Sequence, residues 1–418
     1  MQRMKIAVWH NLPSGGGKRA LYDHVRGLVS RGHVVEAWCP PTADREYLPL
    51  GSMIPEHVVE LAWPEYRLTD KLGLTLVMER RLAAMDAHCQ ACAEEISRGG
   101  FDILFANACI FFRTTSIGRF AKIPSVLYLG EPYRWLYEAL PRLPWLAPPR
   151  PTGSFLSPSR LKGAIADPRN IRNWRIQARE EVENAAAFSR ILVNSYFSRE
   201  SVLRAYGLDA DVCYLGIDVD RFVDNDSARI NMLVGVGSIT PEKNVRLCIE
   251  AVATVALPRP TLVWVANVAK KSYLDEMRDL AMSLGVAFEV KIGIADSELL
   301  DILNHAMAML YAPRLEPFGL APLEANACGV PVIAVAEGGV RETIIDQVNG
   351  LLVESTAVSM GAAISRLAAD PDLARRLGIN GRLTVKEKWG MSSAIDRLEQ
   401  QLARYATNAI GGLERPST

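Results

Sequence analysis

Short apolar runs separated by amphipathic stretches recur along this chain, and the series starts afresh halfway. The runs of the first half are "KIAVWHN", "VVEAWC", "FDILFAN", "PSVLYLG", "SRILVNS" and "VCYLGI"; those of the second are "NMLVGVG", "TLVWVANV", "FEVKIG", "AMAMLYA" and "PVIAVA". Runs that are apolar throughout belong to strands covered on both faces, as in parallel sheets. Their alternation with helices predicts an α/β chain of doubly wound sheets. Each half opens as strand, turn, helix: "KIAVWHNLPSGGGKRALYDHVRGLVSRGH", with Leu21, Val25, Leu28 and Val29 as an apolar stripe, and "NMLVGVGSITPEKNVRLCIEAVATV", with Thr240 as N-cap and Pro241 as first helical residue. A chain of 418 residues outgrows a single hydrophobic core. The join is expected in the polar, acidic "LGIDVDRFVDNDSAR". The expected division is 1–220, 221–392, and a closing helix with a loose tail over 393–418.

Lysine plus arginine equals aspartate plus glutamate at 47 each, so bulk charge gives no argument for nucleic acid as a partner. Cys39, Cys213, Cys248 and Cys328 sit in apolar settings and read as buried hydrophobes. Cys89 and Cys92 form a C-x-x-C, but inside the helical pattern Met85, Cys89, Cys92, Ile96 and without a second pair, so a metal role is not expected. The usage suits a reducing cytosol. The N-terminus reads as a first strand rather than a secretory signal, and no run approaches the roughly 18 apolar residues that span a bilayer. The expected location is cytoplasmic. Residues 133–179 break the pattern: they are rich in proline, tryptophan and arginine, with nine basic against two acidic residues. They read either as an insertion with a solvated basic face or as a contact for an acceptor or for the inner membrane surface.

The chemistry concentrates in "RLEPFGLAPLEANACGVPVIAVAEGGVRETI". A strand ends before Glu316, Gly319 permits a close turn, and "LAPLEANAC" makes a short helix with Pro322 in its first turn and Gly329 beyond its end. The amides of Phe318, Gly319 and Leu320 would then be unpaired donors at a helix N-terminus, suited to an anion or a hydroxyl. Glu316 and Glu324, about a turn apart, can grip two parts of one ligand. Taken singly, each glutamate reads as a solvated or dipole-pairing residue.

The combination E-x7-E with an internal F-G-L, then EA-x3-G-x-P and G-G-x-x-E (Gly338, Gly339, Glu342), resembles the donor-site signature of glycosyltransferase family 4. The resemblance covers nearly the whole chain: "LPSGGGKRALYDHVRGL", "ILVNSYFSRESVLRAYG", "VGVGSITPEKN" and "GIADSELLDILNHAMAMLYAPR" also match. It implies the GT-B fold, two Rossmann-like domains facing a central cleft, and retaining hexosyl transfer from a nucleoside-diphosphate sugar to a glycan, lipid-linked or small-molecule hydroxyl, without cofactor or divalent metal. Glu316 and Lys243 would be catalytic. Donor contacts would come from Gly15, Gly16, Ser238, Lys243, Gly293, Glu316, Phe318, Gly319, Leu320 and Glu324. An isolated lysine in a first helical turn is usually solvated and mildly disfavoured by the helix dipole, so Lys243 makes more sense facing a diphosphate.

Two positions depart from the family. Ser238 stands where arginine usually lies beside the diphosphate, and Gly130 where many members have histidine. Gly130, with Glu131 and Arg134 next to it, is the candidate acceptor-contact group. These departures leave room for a non-catalytic scaffold of the same fold, or for an epimerase or phosphorylase. The D-x-D lookalikes Asp218–Asp220 and Asp209–Asp211 fall in the join and in a turn, and are not expected to bind metal.

Overall fold

The computed structural model describes residues 3–71, 77–139, 142–146 and 158–408. The chain forms two compact units. One comprises the chain up to Asn194, Ser198–Cys213 and the chain from Ile395; the other comprises Tyr214–Ala394 together with the tripeptide Ser195–Phe197.

The first unit is built on a parallel sheet of seven strands: β1 (Lys5–Asn11), β2 (Val34–Cys39), β3 (Glu56–Val58), β4 (Ile103–Cys109), β5 (Ser125–Tyr128), β6 (Arg190–Val193) and β7 (Asp211–Val212), in the order β3-β2-β1-β4-β5-β6-β7. The chain winds outward from β1 to one edge, then returns to β4 and winds to the other. The order therefore reverses between β1 and β4, the point where such sheets open a crevice at their carboxyl ends. Helix Gly16–Ser30 buries Leu21, Val25 and Leu28, each worth about 1.5–3 kcal/mol. Val29 is only half-buried, and Lys18 and His24 are buried beside the stripe. On the sheet, Trp9, Leu104, Ala106 and Leu127 join Met85, Cys89, Cys92 and Ile96 of helix Val77–Arg98 in one core. The closing helix Met391–Asn408 returns to this unit from Ile395 onward. Gly27 leaves room for Ile395, and Arg31 and His33 meet Glu399 at 2.6 and 3.1 Å.

The second unit has six parallel strands: β8 (Ile230–Val236), β9 (Thr261–Ala266), β10 (Phe288–Ile292), β11 (Ala306–Tyr311), β12 (Val332–Val335) and β13 (Gly350–Val353), ordered β10-β9-β8-β11-β12-β13. Its reversal lies between β8 and β11. Leu233, Trp264, Leu310 and Ile333 on the sheet pack with Val245, Cys248, Ile249 and Val252 of helix Val245–Ala253.

Several local expectations are corrected. Of "VCYLGI" only Val212 lies in a strand, the two-residue Asp211–Val212. The edge strands β3 and β13 were not anticipated; edges need only a few residues, and β3 has no apolar run. The helix expected from Pro241 is instead a 3-10 turn, Pro241–Lys243. It closes at left-handed Asn244 (φ 54°), and the α-helix starts at Val245; the Thr240 side chain makes no capping bond. Lys243 therefore lies in a tight turn rather than in an α-helix.

In the basic insertion, residues 140–141 and 147–157 lie outside the described residues, as does the tail 409–418. Helix Pro158–Ala186 runs through Pro168. Three of its arginines are paired: Arg172 meets Glu79 at 3.2 Å and Arg179 meets Glu180 at 2.6 Å, both carboxylates from outside the insertion, while Arg134 meets Glu131 at 3.2 Å and the insertion's own Glu138 at 2.6 Å.

Candidate functional site

In the second unit the loops after β8 and β11 are neighbours, because these two strands flank the reversal of the sheet. After β8, Gly237 donates its N–H to the Val265 carbonyl and accepts from Trp264 Nε1, at 2.9 and 2.8 Å. A Cβ on Gly237 would lie 3.5 Å from Lys243 Cδ, so the lysine stem packs directly on this glycine. Ser238 follows, with its carbonyl accepting from Thr240 N–H at 3.1 Å.

The 3-10 turn is tied to the loop after β11 by two bonds. Arg314 N–H reaches the Glu242 carbonyl at 2.9 Å, and Lys243 Nζ lies 2.7 Å from Glu316 Oε2. The two residues singled out as catalytic are therefore an ion pair, each about three-quarters covered (25% and 23% exposed). A pair this accessible adds little to stability. It can reopen toward a ligand at modest cost.

Beyond Glu316 the backbone turns at Gly319 (φ 90°), which opens helix Leu320–Ala327. A Cβ on Gly319 would lie 2.8 Å from Tyr311 Oη, so a side chain is excluded by both conformation and space. Among the described residues, the amides of Phe318, Gly319 and Leu320 have no partner. Glu324 is almost wholly buried in the helix. Burial pushes the Tyr311 hydroxyl well above its ordinary pKa, and the charges of Glu316 and Glu324 push the same way. That phenol stays protonated beneath the two carboxylates. Gly293, after β10, has φ 64° and open space at its Cβ position.

The loop is held from behind. Gly339 N–H donates to the Glu316 carbonyl at 2.8 Å. A Cβ on Gly338 would lie 2.3 Å from that carbonyl oxygen, and one on Gly339 2.0 Å from the Pro317 oxygen. The paired glycines of G-G-x-x-E thus serve backbone-to-backbone contact with the Glu316 loop. Glu342 accepts from Tyr196 N, Phe197 N and Tyr214 Oη at 2.9, 2.9 and 2.8 Å. Phe318 is buried against Tyr214 and Trp389, with ring centroids 6.2 and 5.6 Å away. Sequence reasoning missed Tyr311, which lies at the end of an apolar strand run, and Ser195, Tyr214 and Trp389, whose partners are distant in the chain.

In the first unit, Gly15 (φ 136°) and Gly16 open the first helix, with nothing within 4 Å of either Cβ position. A Cβ on Gly130 would lie 3.3 Å from Asn194 Nδ2. Glu131 is shared by Arg113 and Arg134 at 3.0 and 3.2 Å. Wholly buried Glu181 accepts from Arg113 N, Thr114 N, Gln177 and Tyr206, and so fixes the loop after β4. Burial raises its pKa, against the pull of those bonds.

The Asp209 and Asp211 carboxylates are engaged by Arg190 and Arg199, and Asp218 accepts the amides of its own turn. Cys89 and Cys92 are buried with thiols raised by burial, Cys89 to about 12. Among the described residues one group has metal-ligating atoms close together: His10, Cys39 and Glu56, within 4.8 Å of one another. Burial raises the Glu56 carboxyl, but His10 and the charges of Lys18 and Arg45 outweigh it and leave the pKa low. Burial pushes the Cys39 thiol up to about 12. An entering divalent cation would meet Lys18 and Arg45 there, so this group reads as an internal charge cluster.

The sequence pattern of "Glycosyltransferase Family 4" matches residues 14–221, and that of "Glycosyl transferases group 1" matches residues 218–384. A GDP-mannose-dependent alpha-(1-6)-phosphatidylinositol monomannoside mannosyltransferase of Mycolicibacterium smegmatis is 31% identical over 234 residues, covering 50% of this chain and 60% of that one. Human alpha-1,3/1,6-mannosyltransferase ALG2 is 27% identical over 248 residues, covering 53% and 58%. The matched region thus spans under two thirds of either relative. Among solved structures, Anabaena HepE in complex with UDP superposes with a TM-score of 0.69 at 18% identity, over 96% of this chain and 100% of that one. Sucrose-phosphate synthase from Thermosynechococcus elongatus gives 0.70 at 19%, over 97% and 100%. These two likenesses concern the fold. No helix among the described residues is long and apolar enough to cross a membrane.

Proposed function

Because this chain belongs to the family-4 glycosyltransferases of the GT-B type, we propose that it moves a hexosyl residue from a nucleoside-diphosphate sugar to an acceptor hydroxyl with retained anomeric configuration. The observation that carries the reading is the Lys243–Glu316 pair, 2.7 Å apart at the reversal of the second sheet, beside the three open amides of the Glu316 loop. Lys243 and those amides hold the diphosphate and stabilise the charge that grows as it leaves, a contribution of about 3 kcal/mol per donor group. Glu316, released from Lys243 as the phosphate arrives, accepts hydroxyls of the hexose. Glu324 takes the ribose hydroxyls, and Gly293 borders the base. The acceptor oxygen bonds to the anomeric carbon as the bond to the phosphate oxygen breaks, and that phosphate oxygen takes the acceptor proton on the same face. No side-chain base and no metal ion enters this scheme.

Ser238 places no fixed charge by the diphosphate, so more of the task falls on Lys243. The mannosyltransferases among the relatives put GDP-mannose first among donors to test, with UDP-glucose and UDP-N-acetylglucosamine next. Glu131 and Arg134 are the acceptor contacts in this reading. The acceptor class is a glycan or lipid-linked sugar of the cell envelope, met by a cytoplasmic enzyme at the inner membrane face. The test is donor-dependent release of nucleoside diphosphate from this panel, with product stereochemistry read by NMR. No release with any donor, and no shift in melting temperature on adding one, removes the enzyme; an inverted linkage removes retention.

A further inference from the structure

We propose that Ser195 and Glu342 are positioning residues that set the Glu316 loop for turnover without touching the donor; the inference rests on the donor-site reading above. Between Glu316 and Gly319 the loop has a proline, which has no N–H to anchor it. Its two carbonyls are held instead. Gly339 N–H takes the Glu316 oxygen at 2.8 Å, and the Ser195 hydroxyl takes the Pro317 oxygen at 2.5 Å. Ser195 is wholly buried, so no water competes for that bond.

Ser195 is itself held in place. The next two amides, Tyr196 and Phe197, donate to opposite oxygens of Glu342, and Tyr214 Oη donates to Glu342 Oε2. A carboxylate filled by three protein donors is turned toward the supports of the loop rather than toward a ligand. The same tyrosine lies against Phe318, and Trp389 closes the group, with Tyr214 and Trp389 centroids 5.1 Å apart. One carboxylate thus fixes both the serine that grips Pro317 and an aromatic wall of Phe318. The tripeptide Ser195–Phe197 comes from the first half of the sequence yet counts with the second unit, consistent with this use.

The test uses the full chain with Ser195→Ala and Glu342→Gln. Hydrogen exchange is followed over residues 312–321, and donor-dependent nucleotide release gives kcat and KM. Each variant is expected to exchange faster over 312–321 than wild type, with β12 unchanged, and to lose about tenfold in kcat while the donor KM stays within about twofold. That split follows from a loop that still binds but is misplaced, where shifts of about 1 Å cost up to about a hundredfold. Unchanged exchange and kcat in both variants would overturn the proposal. So would faster exchange spread evenly through the second unit, which would mean general loosening. Wild-type protein that releases nucleotide from no donor would count against glycosyl transfer alone; the exchange arms would still decide whether the two residues hold the loop.

Discussion

Gly339→Ala offers a direct mechanical test of the site. The added methyl would lie 2.0 Å from the Pro317 oxygen, 2.7 Å from its carbonyl carbon and 3.1 Å from Phe318 Cα, all backbone atoms. A Cβ is not found closer than 3.0 Å to a nonbonded atom, so Pro317 or the glycine must move by about 1 Å. Overpacking of this kind costs about 1–3 kcal/mol, which lowers the melting temperature by several degrees in a unit of this size. Glu316 adjoins Pro317, so on the proposed donor-site reading the same shift displaces its carboxylate and should cut turnover by about a hundredfold. The control is Gly16→Ala, where the methyl meets nothing within 4 Å, and stability should stay within about 0.5 kcal/mol. The assays are nucleotide release and differential scanning fluorimetry. A Gly339→Ala protein with turnover within twofold of wild type would refute the account of how the loop is held.

Lys243→Ala and Glu316→Gln should each lower turnover tenfold or more, yet barely move the melting temperature because the pair is partly solvated; unchanged turnover in both would displace the site. Transfer should persist in EDTA, and an absolute need for added divalent metal would overturn the metal-free scheme. Buried His24 has its pKa lowered by desolvation to about 4. The unfolded chain therefore takes up a proton, between about pH 6.5 and 4, that the fold refuses. Stability is full above that window and lost as pH falls, by about 2 kcal/mol at pH 5. Urea unfolding at pH 7.5 and 5 should show this loss shrinking in His24→Leu, and an identical loss in the variant would contradict the assignment.

The central strands of both sheets were legible because burial on two faces leaves a continuous apolar run, as in "KIAVWHN" and "AMAMLYA". β3 was not, since Glu56–Val58 sits at an edge and carries polar side chains. Asn244 adopts a left-handed conformation that its neighbours in sequence do not announce, so a 3-10 turn was read as the start of a helix. Within the site, Glu316, Glu324, Gly319 and Gly329 follow from local order along one segment, and Gly329 does end the helix at φ 68°. The Lys243–Glu316 bond joins residues 73 positions apart, and Ser195–Pro317 spans 122. Pairings of that range are set by the winding of the sheet, which apolar periodicity does not encode.

The noncontiguous make-up of the second unit limits how it can be cut. A fragment spanning residues 214–394 would keep every strand of its sheet, but it would strip the Pro317 carbonyl of its hydroxyl donor and leave Glu342 with one of its three donors. Exchanging this half with that of a relative, to graft a different sugar preference, would require the Ser195–Phe197 tripeptide to be transplanted with it. Without that splice, a hybrid could fold, bind nucleotide and still turn over slowly.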